Sequence, residues 1–155
     1  MKIVNKRAMF DYEVLESFEA GISLSGAEVK SIKSGFMSLA GSRVVIGARG
    51  SDEREGVWLI GATVTQYKSS SDPNYDPMRS RKLLLKKEQI EWLKSKMTAK
   101  GLTVVPLSCY TKGDLIKVEI ALVRGKKQFE KREQEKKREI DKKLRQVVKN
   151  HSRES

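Results

Sequence analysis

Between Tyr12 and Leu24 the even positions Tyr12, Val14, Phe18, Ala20, Ile22 and Leu24 are apolar, with Glu16 the exception, and Glu13, Ser17, Glu19 and Ser23 alternate with them. A period of two is that of a half-buried strand, and Leu15 and Gly21 mark where it would bend. The next four residues, Ser25-Gly26-Ala27-Glu28, have capping-box spacing. The Ser25 hydroxyl can accept from the Glu28 amide while the Glu28 carboxylate reaches back, which predicts a short helix over 26–34 with Val29 and Ile32 on one face and Gly35 after it.

Segments Ser42–Ala48 and Val57–Tyr67 are rich in Val, Ile, Thr and aromatics and read as a β-hairpin with a long loop. Three serines, Pro73, Asn74 and Pro77 make Lys68–Pro77 an exposed loop. Ile90, Leu93 and Met97 then fall on one helical stripe, predicting a helix over 86–97 that stops before Gly101. Leu102–Tyr110 and Leu115–Val123 are two further strands around the turn Lys112-Gly113-Asp114. With about six strands and two short helices that do not alternate as βαβ, a small closed or nearly closed antiparallel β-barrel is the simplest way to bury the apolar faces. The fold class expected is mainly β with short helices.

The pattern changes near residue 124, so the chain divides into a body over 1–123 and a tail over 124–155. The tail holds 13 Lys and Arg against 6 Asp and Glu, +7 of the whole chain's +12. Glu133/Lys137, Glu139/Lys143 and Asp141/Arg145 have the acid-before-base i,i+4 order that supports a helix by a few tenths of a kcal/mol each. Ile140, Leu144, Val147 and Val148 form its one apolar stripe. Such a segment is expected to be disordered alone and helical on a partner.

Charge and chemistry narrow the function. A net +12 is the footprint of a protein that meets polyphosphate. Cys109 is the only cysteine and His151 the only histidine, which excludes an intrachain disulfide and a cysteine-based zinc cluster. No apolar run approaches a membrane span and Met1–Phe10 lacks a signal-peptide core, so the cytoplasm is expected, with no membrane partner, no cofactor and no metal. A Cys109/His151 nucleophile pair would need the tail to fold back across the body, and Cys109 reads instead as a small strand residue. Glu19 and Glu28 read as an exposed strand residue and a capping residue rather than a catalytic carboxylate pair.

RNA binding has more to work with. Arg79, Arg81 and Lys82 stand between the flexible loop and Leu83-Leu84-Leu85, as a basic rim over a packed base or as a solvated loop flank. Lys6, Arg7, Lys30, Lys33 and Lys117 add cations, and Tyr67, Tyr75, Tyr110 and Phe129 are rings on which bases could stack, although Tyr67 and Tyr110 sit at strand ends and suit a core edge.

Taken in order, several of these segments resemble the SsrA-binding protein family. They are Asn5-Lys6-Arg7-Ala8, Phe18-Glu19-Ala20-Gly21-Ile22, Gly26-Ala27-Glu28-Val29-Lys30-Ser31, the run Asp76-Pro77-Met78-Arg79-Ser80-Arg81-Lys82-Leu83-Leu84-Leu85, Val104-Val105-Pro106-Leu107, Lys117-Val118 and Gly125-Lys126-Lys127. They are colinear over nearly the whole chain. The resemblance implies an oligonucleotide-binding (OB-like) barrel that binds the tRNA-like domain of transfer-messenger RNA and escorts it to stalled ribosomes for trans-translation. It implies an RNA face that includes Glu19, Leu84 and Lys117, with Lys6, Arg7, Arg79, Arg81 and Lys82 as neighbours. Glu19 is an odd member, since a carboxylate repels phosphate; it could accept from base or sugar donors or orient a nearby Arg or Lys.

The resemblance further implies that the tail enters the decoding centre and mRNA channel, with Gly125, Lys126, Lys127, Phe129, Lys131 and Arg132 at the junction and Ile140, Leu144, Val147 and Val148 beyond. Many relatives carry histidine where this chain has Phe129 and aspartate where it has Glu130. Phenylalanine keeps a ring that can stack and loses the ring N–H. No catalysis is implied, and a monomer is expected. The residues alone also fit a general ribosomal-RNA-binding barrel protein, and less well an RNA-processing enzyme.

Overall fold

The computed structural model describes residues 1–49, 52–126 and 128–154, with side chains over 1–47, 56–126 and 131–149. Two compact units are present, Met1–Gly125 and Lys126–Ser155.

In the first unit the elements run β1 (Lys2–Val4), α1 (Lys6–Asp11), β2 (Tyr12–Ile22), α2 (Gly26–Lys33), β3 (Met37–Ser38), β4 (Arg43–Arg49), β5 (Asp52–Ile60), β6 (Thr63–Val64), β7 (Arg81–Leu84), α3 (Lys87–Lys96), β8 (Leu102–Lys112) and β9 (Leu115–Gly125). Seven strands form one antiparallel sheet in the order β1-β8-β9-β2-β7-β5-β4, and β3 pairs with β6 separately. The sheet curls until β4 lies against β8. Hydrogen bonds do not close it, so the closed form of the expected barrel is corrected to an open, OB-like sheet. Short β1 explains part of this, because it takes up the edge of β8 from Ser108 to Tyr110 that closure would need.

Its inner face carries Ala20, Leu59, Leu83, Val118 and Ile120, packed with Ile32 of α2 and Leu93 of α3. Complete burial of residues such as Leu59 and Ile120, each 0% exposed, contributes about 1.5–3 kcal/mol apiece. On the outer face α1 sets Ala8 over Val105, Leu107, Ala121 and Val123. Helix α1 and strand β1 are absent from the sequence reading. Asn5 is the device that makes them: its Oδ1 accepts from the Ala8 amide at 3.1 Å, and its Nδ2 donates to Leu39 O at 3.2 Å and Pro106 O at 2.8 Å. Asn5 is thereby a helix cap and a staple between chain segments, and it is 4% exposed.

Strand β2 matches its prediction in extent but not in face. A bulge lies between Val14 and Glu16, where Leu15 was expected to bend the chain. A bulge swaps the faces, so Tyr12 packs with the outer cluster while Phe18 packs with the inner one, and Val14 is left 44% exposed. Helix α2 has the full capping box, with Ser25 Oγ accepting from the Glu28 amide at 3.2 Å and Glu28 Oε1 accepting from the Ser25 amide at 3.0 Å. The strand expected over Val57–Tyr67 breaks at Gly61, whose φ of +80° turns the chain and where a Cβ would stand 3.1 Å from Gly41 O. The Lys68–Pro77 loop is irregular but anchored, since the Tyr75 hydroxyl donates to Val64 O at 2.6 Å.

The second unit holds α4 (Gln128–Glu154), a single helix where the sequence reading expects order only on a partner. Ile140, Leu144, Val147 and Val148 lie along it, each more than half exposed.

Candidate nucleic-acid interface

Register decides which side chains share the open part of the outer face. Glu19 pairs with Glu119 and Gly21 with Lys117 across β2 and β9, Gly21 with Leu84 across β2 and β7, Trp58 with Lys82 across β5 and β7, and Tyr110 with Lys117 across β8 and β9. Because alternate residues share a face, Glu19, Lys82, Leu84, Tyr110, Lys117 and Glu119 stand on one side. Glu19, Lys82, Leu84 and Lys117 line a single shallow depression of about 800 Å³, with Lys86 and Gln89 at its α3 border.

Two glycines keep its floor low. A Cβ at Gly21 would lie 3.1 Å from the Leu84 Cβ, and one at Gly56 would lie 3.2 Å from the Lys82 side chain and 3.3 Å from the Trp58 indole nitrogen. Leu84 stands 56% exposed on this floor, an unusual place for leucine unless something covers it. The Lys82 ammonium sits 5.8 Å from the centre of the Trp58 ring, which holds the cation at the rim.

Each oxygen of Glu19 has a partner. The Tyr110 hydroxyl donates to its Oε2 and the Lys112 ammonium to its Oε1 at 3.3 Å. The Tyr110 hydrogen bond, with help from Lys112 and Lys117, holds the Glu19 carboxyl below its usual range despite some desolvation. Tyr110 is pushed up to about 12, first by burial and then by Glu19 and Glu119. At neutral pH the pair is therefore carboxylate and neutral phenol. Lys112 was missed as a site residue, and Tyr110 was read as a possible stacking ring better suited to a core edge, not as a hydrogen-bond partner of Glu19. A signal was present, since counting back from the Lys112-Gly113-Asp114 turn puts Tyr110 across from Lys117 and Lys112 two residues further on the same face.

The other expected site residues separate. Arg81 is 0% exposed, which corrects its place on a basic rim. Its Nε donates to Glu28 Oε2 at 2.7 Å, and its remaining donors reach Ala62 O at 3.2 Å, Arg79 O at 3.0 Å and Pro77 O at 3.0 Å. Its sequence neighbour Arg79 is partly exposed and pairs with the other oxygen of Glu28. Burial would push the Glu28 carboxyl up, but the Ser25 amide and the two guanidiniums outweigh it and hold the group below its ordinary range. Lys6 and Arg7 are exposed on α1, where Arg7 lies 3.7 Å from Asp11 and lines a different hollow. Tyr67 has Lys30 5.6 Å from its ring centre.

In the tail, Gly125 ends β9 and the Lys126 ammonium donates to Gln134. Lys131 and Arg132 follow on α4. Lys127 lies outside the described residues, and the side chains of Phe129 and His151 lie outside those described. Among the described residues no three His, Cys, Asp or Glu side chains gather as a metal site would need, and no helix is long and apolar enough to cross a membrane. Cys109 is buried in the inner core, and desolvation pushes its thiol up to about 12. It should resist iodoacetamide at pH 8 in the folded protein and react at once in denaturant; rapid alkylation of the native protein would contradict this placement.

The family model described as SmpB protein matches residues 2–150. The chain belongs to the SmpB family. SsrA-binding protein of Sulfurihydrogenibium is 45% identical over 149 residues, covering 94% of both chains. That of Maricaulis maris is 44% identical over 149 residues, covering 96% of this chain and 92% of the relative. That of Bifidobacterium adolescentis is 46% identical over 129 residues, 83% of this chain and 78% of the relative. A solved structure described as "tmRNA-SmpB: a journey to the center of the bacterial ribosome" superposes with a TM-score of 0.63 at 42% identity, covering 82% of this chain and 85% of that SmpB chain.

Proposed function

We propose that this SmpB-family protein binds transfer-messenger RNA through the open outer face of its sheet and delivers it to stalled ribosomes, where α4 takes part in the decoding region. The observation that carries the reading is that Glu19, Leu84 and Lys117, far apart in sequence, line one depression with Lys82 on the side of the sheet that α1 leaves open. An exposed leucine flanked by cations suits a nucleoside: the apolar floor packs against sugar or base while ammonium groups meet phosphates. The names of the relatives and the ribosomal setting of the matched structure support the choice of RNA. The protein acts as a binding factor in the cytoplasm and makes or breaks no bond itself.

The test is selectivity. At about 150 mM salt the protein should bind transfer-messenger RNA at least tenfold more tightly than elongator tRNA, because phosphate contacts alone would hold both alike. Leu84→Asp should erase that preference, since it removes the apolar floor and sets a carboxylate against the RNA. Equal affinity for the two RNAs in the unsubstituted protein would favour a general ribosomal-RNA binder and defeat the reading.

A further inference from the structure

Glu19 poses a problem for any RNA face, and its surroundings answer it. Each of its oxygens already has a partner, Oε2 the Tyr110 hydroxyl and Oε1 the Lys112 ammonium. Directly across the ladder stands Glu119. Two carboxylates side by side repel each other and would repel a phosphate, so a direct contact between Glu19 and the nucleic-acid backbone is the least favourable use of this spot. Lys112 differs from both. Its side chain is 66% exposed, and an ammonium has three donors of which Glu19 takes one. It stands at the end of β8, where Gly113 with φ +61° makes the tight turn into β9, and Leu115, paired with it, is 61% exposed.

We infer that Glu19 is a positioning residue that touches no RNA: with Tyr110 it holds Lys112 so that the ammonium meets a phosphate at the tip of the β8–β9 hairpin. A lysine on an exposed hairpin tip ordinarily samples many rotamers, and ordering it on binding costs side-chain entropy. Tethering to a carboxylate that is itself fixed by a phenol removes part of that cost before RNA arrives. Tyr110 serves better than a second lysine here, because it donates one hydrogen bond without bringing a charge. This extends the RNA face from the depression toward the hairpin tip, and it rests on the proposed RNA-binding function.

The experiment titrates the full chain with transfer-messenger RNA between about 50 and 200 mM salt. Lys112→Met should weaken binding and take about one unit off the slope of log affinity against log salt, the signature of one lost phosphate contact. Lys112→Arg should restore the slope. Glu19→Gln and Tyr110→Phe should each weaken binding by up to about fivefold. In the Lys112→Met background Glu19→Gln should add nothing, because a positioning residue has no effect once its target is gone. If the double variant instead shows the product of the two single effects, Glu19 contacts RNA itself and the inference fails; an unchanged salt slope in Lys112→Met also ends it. Failure of the proposed function would show earlier and separately, as loss of preference for transfer-messenger RNA in the unsubstituted protein.

Discussion

Arg81→Met should cost about 3–5 kcal/mol of folding stability, read as a shift of the urea midpoint. A small domain has only about 5–15 kcal/mol to lose. The size follows from what remains behind. Methionine fills most of the arginine's volume but leaves Glu28, 1% exposed, with Arg79 as its one guanidinium. It also removes the donors that reach Ala62 O, Arg79 O and Pro77 O. Glu28→Gln in the same background should recover part of the loss, since glutamine keeps the capping geometry and removes the buried charge. Kept folded at low temperature, Arg81→Met should bind transfer-messenger RNA normally. A stable variant that failed to bind would return Arg81 to the RNA face.

The same ion pair sets an acid limit. The folded-state carboxyl of Glu28 lies below its ordinary value of 4.5. A depressed carboxylate contributes stability that is complete above the unfolded-state value and is lost as pH falls through the folded-state value. Glu28 should therefore leave stability flat from neutrality down to about pH 5 and erode it below 4.5, whereas in Arg81→Met, where one of the groups that hold the carboxyl down is gone, that acid erosion should be smaller. Urea midpoints measured at several pH values between 3 and 7 would check the difference.

How Arg81 came to be misplaced shows what the sequence carries and what it lacks. Local signals were sound where one local rule decides the outcome. The Ser25/Glu28 capping box, the α3 stripe and the hairpin around Gly113 all stand as read, because capping and turn geometry involve residues three or four apart. Arg81 was decided by a contact across 53 residues, to a glutamate that already looked fully explained as a cap. Neither residue advertises the other. Short β1 and β3 were invisible for a related reason, since strands of two or three residues have no period to detect, while β6 lay within the strand expected over Val57–Tyr67. At the candidate site Glu19, Leu84 and Lys117 came from resemblance, and register alone explains why they meet. Tyr110 and Lys112 were within reach once the hairpin was drawn. Tyr110 was read instead as a core edge, which its partial burial bears out without revealing its hydrogen bond.

Ending the chain after Gly125 should abolish peptide tagging on stalled ribosomes while leaving a folded protein that binds transfer-messenger RNA within about tenfold of the full chain, a difference under about 1.4 kcal/mol. The first unit contains both apolar clusters, the whole sheet and α1–α3, so nothing in its core is lost with the tail. Charge alone would predict a different result, because the removed residues 126–155 carry +6 of the +12 and a non-specific phosphate grip would go with them. The stripe of Ile140, Leu144, Val147 and Val148 separates the two ideas. These residues stand 58–67% exposed along α4 and bury almost nothing within the tail, so stability of the isolated helix does not account for them. Replacing the four by serine in the full chain keeps every charge and should still abolish tagging, with RNA affinity and its salt dependence unchanged. Tagging at the normal rate in the serine variant would mean that α4 works by charge alone; tagging at the normal rate in the truncated chain would remove the tail from the ribosomal step altogether.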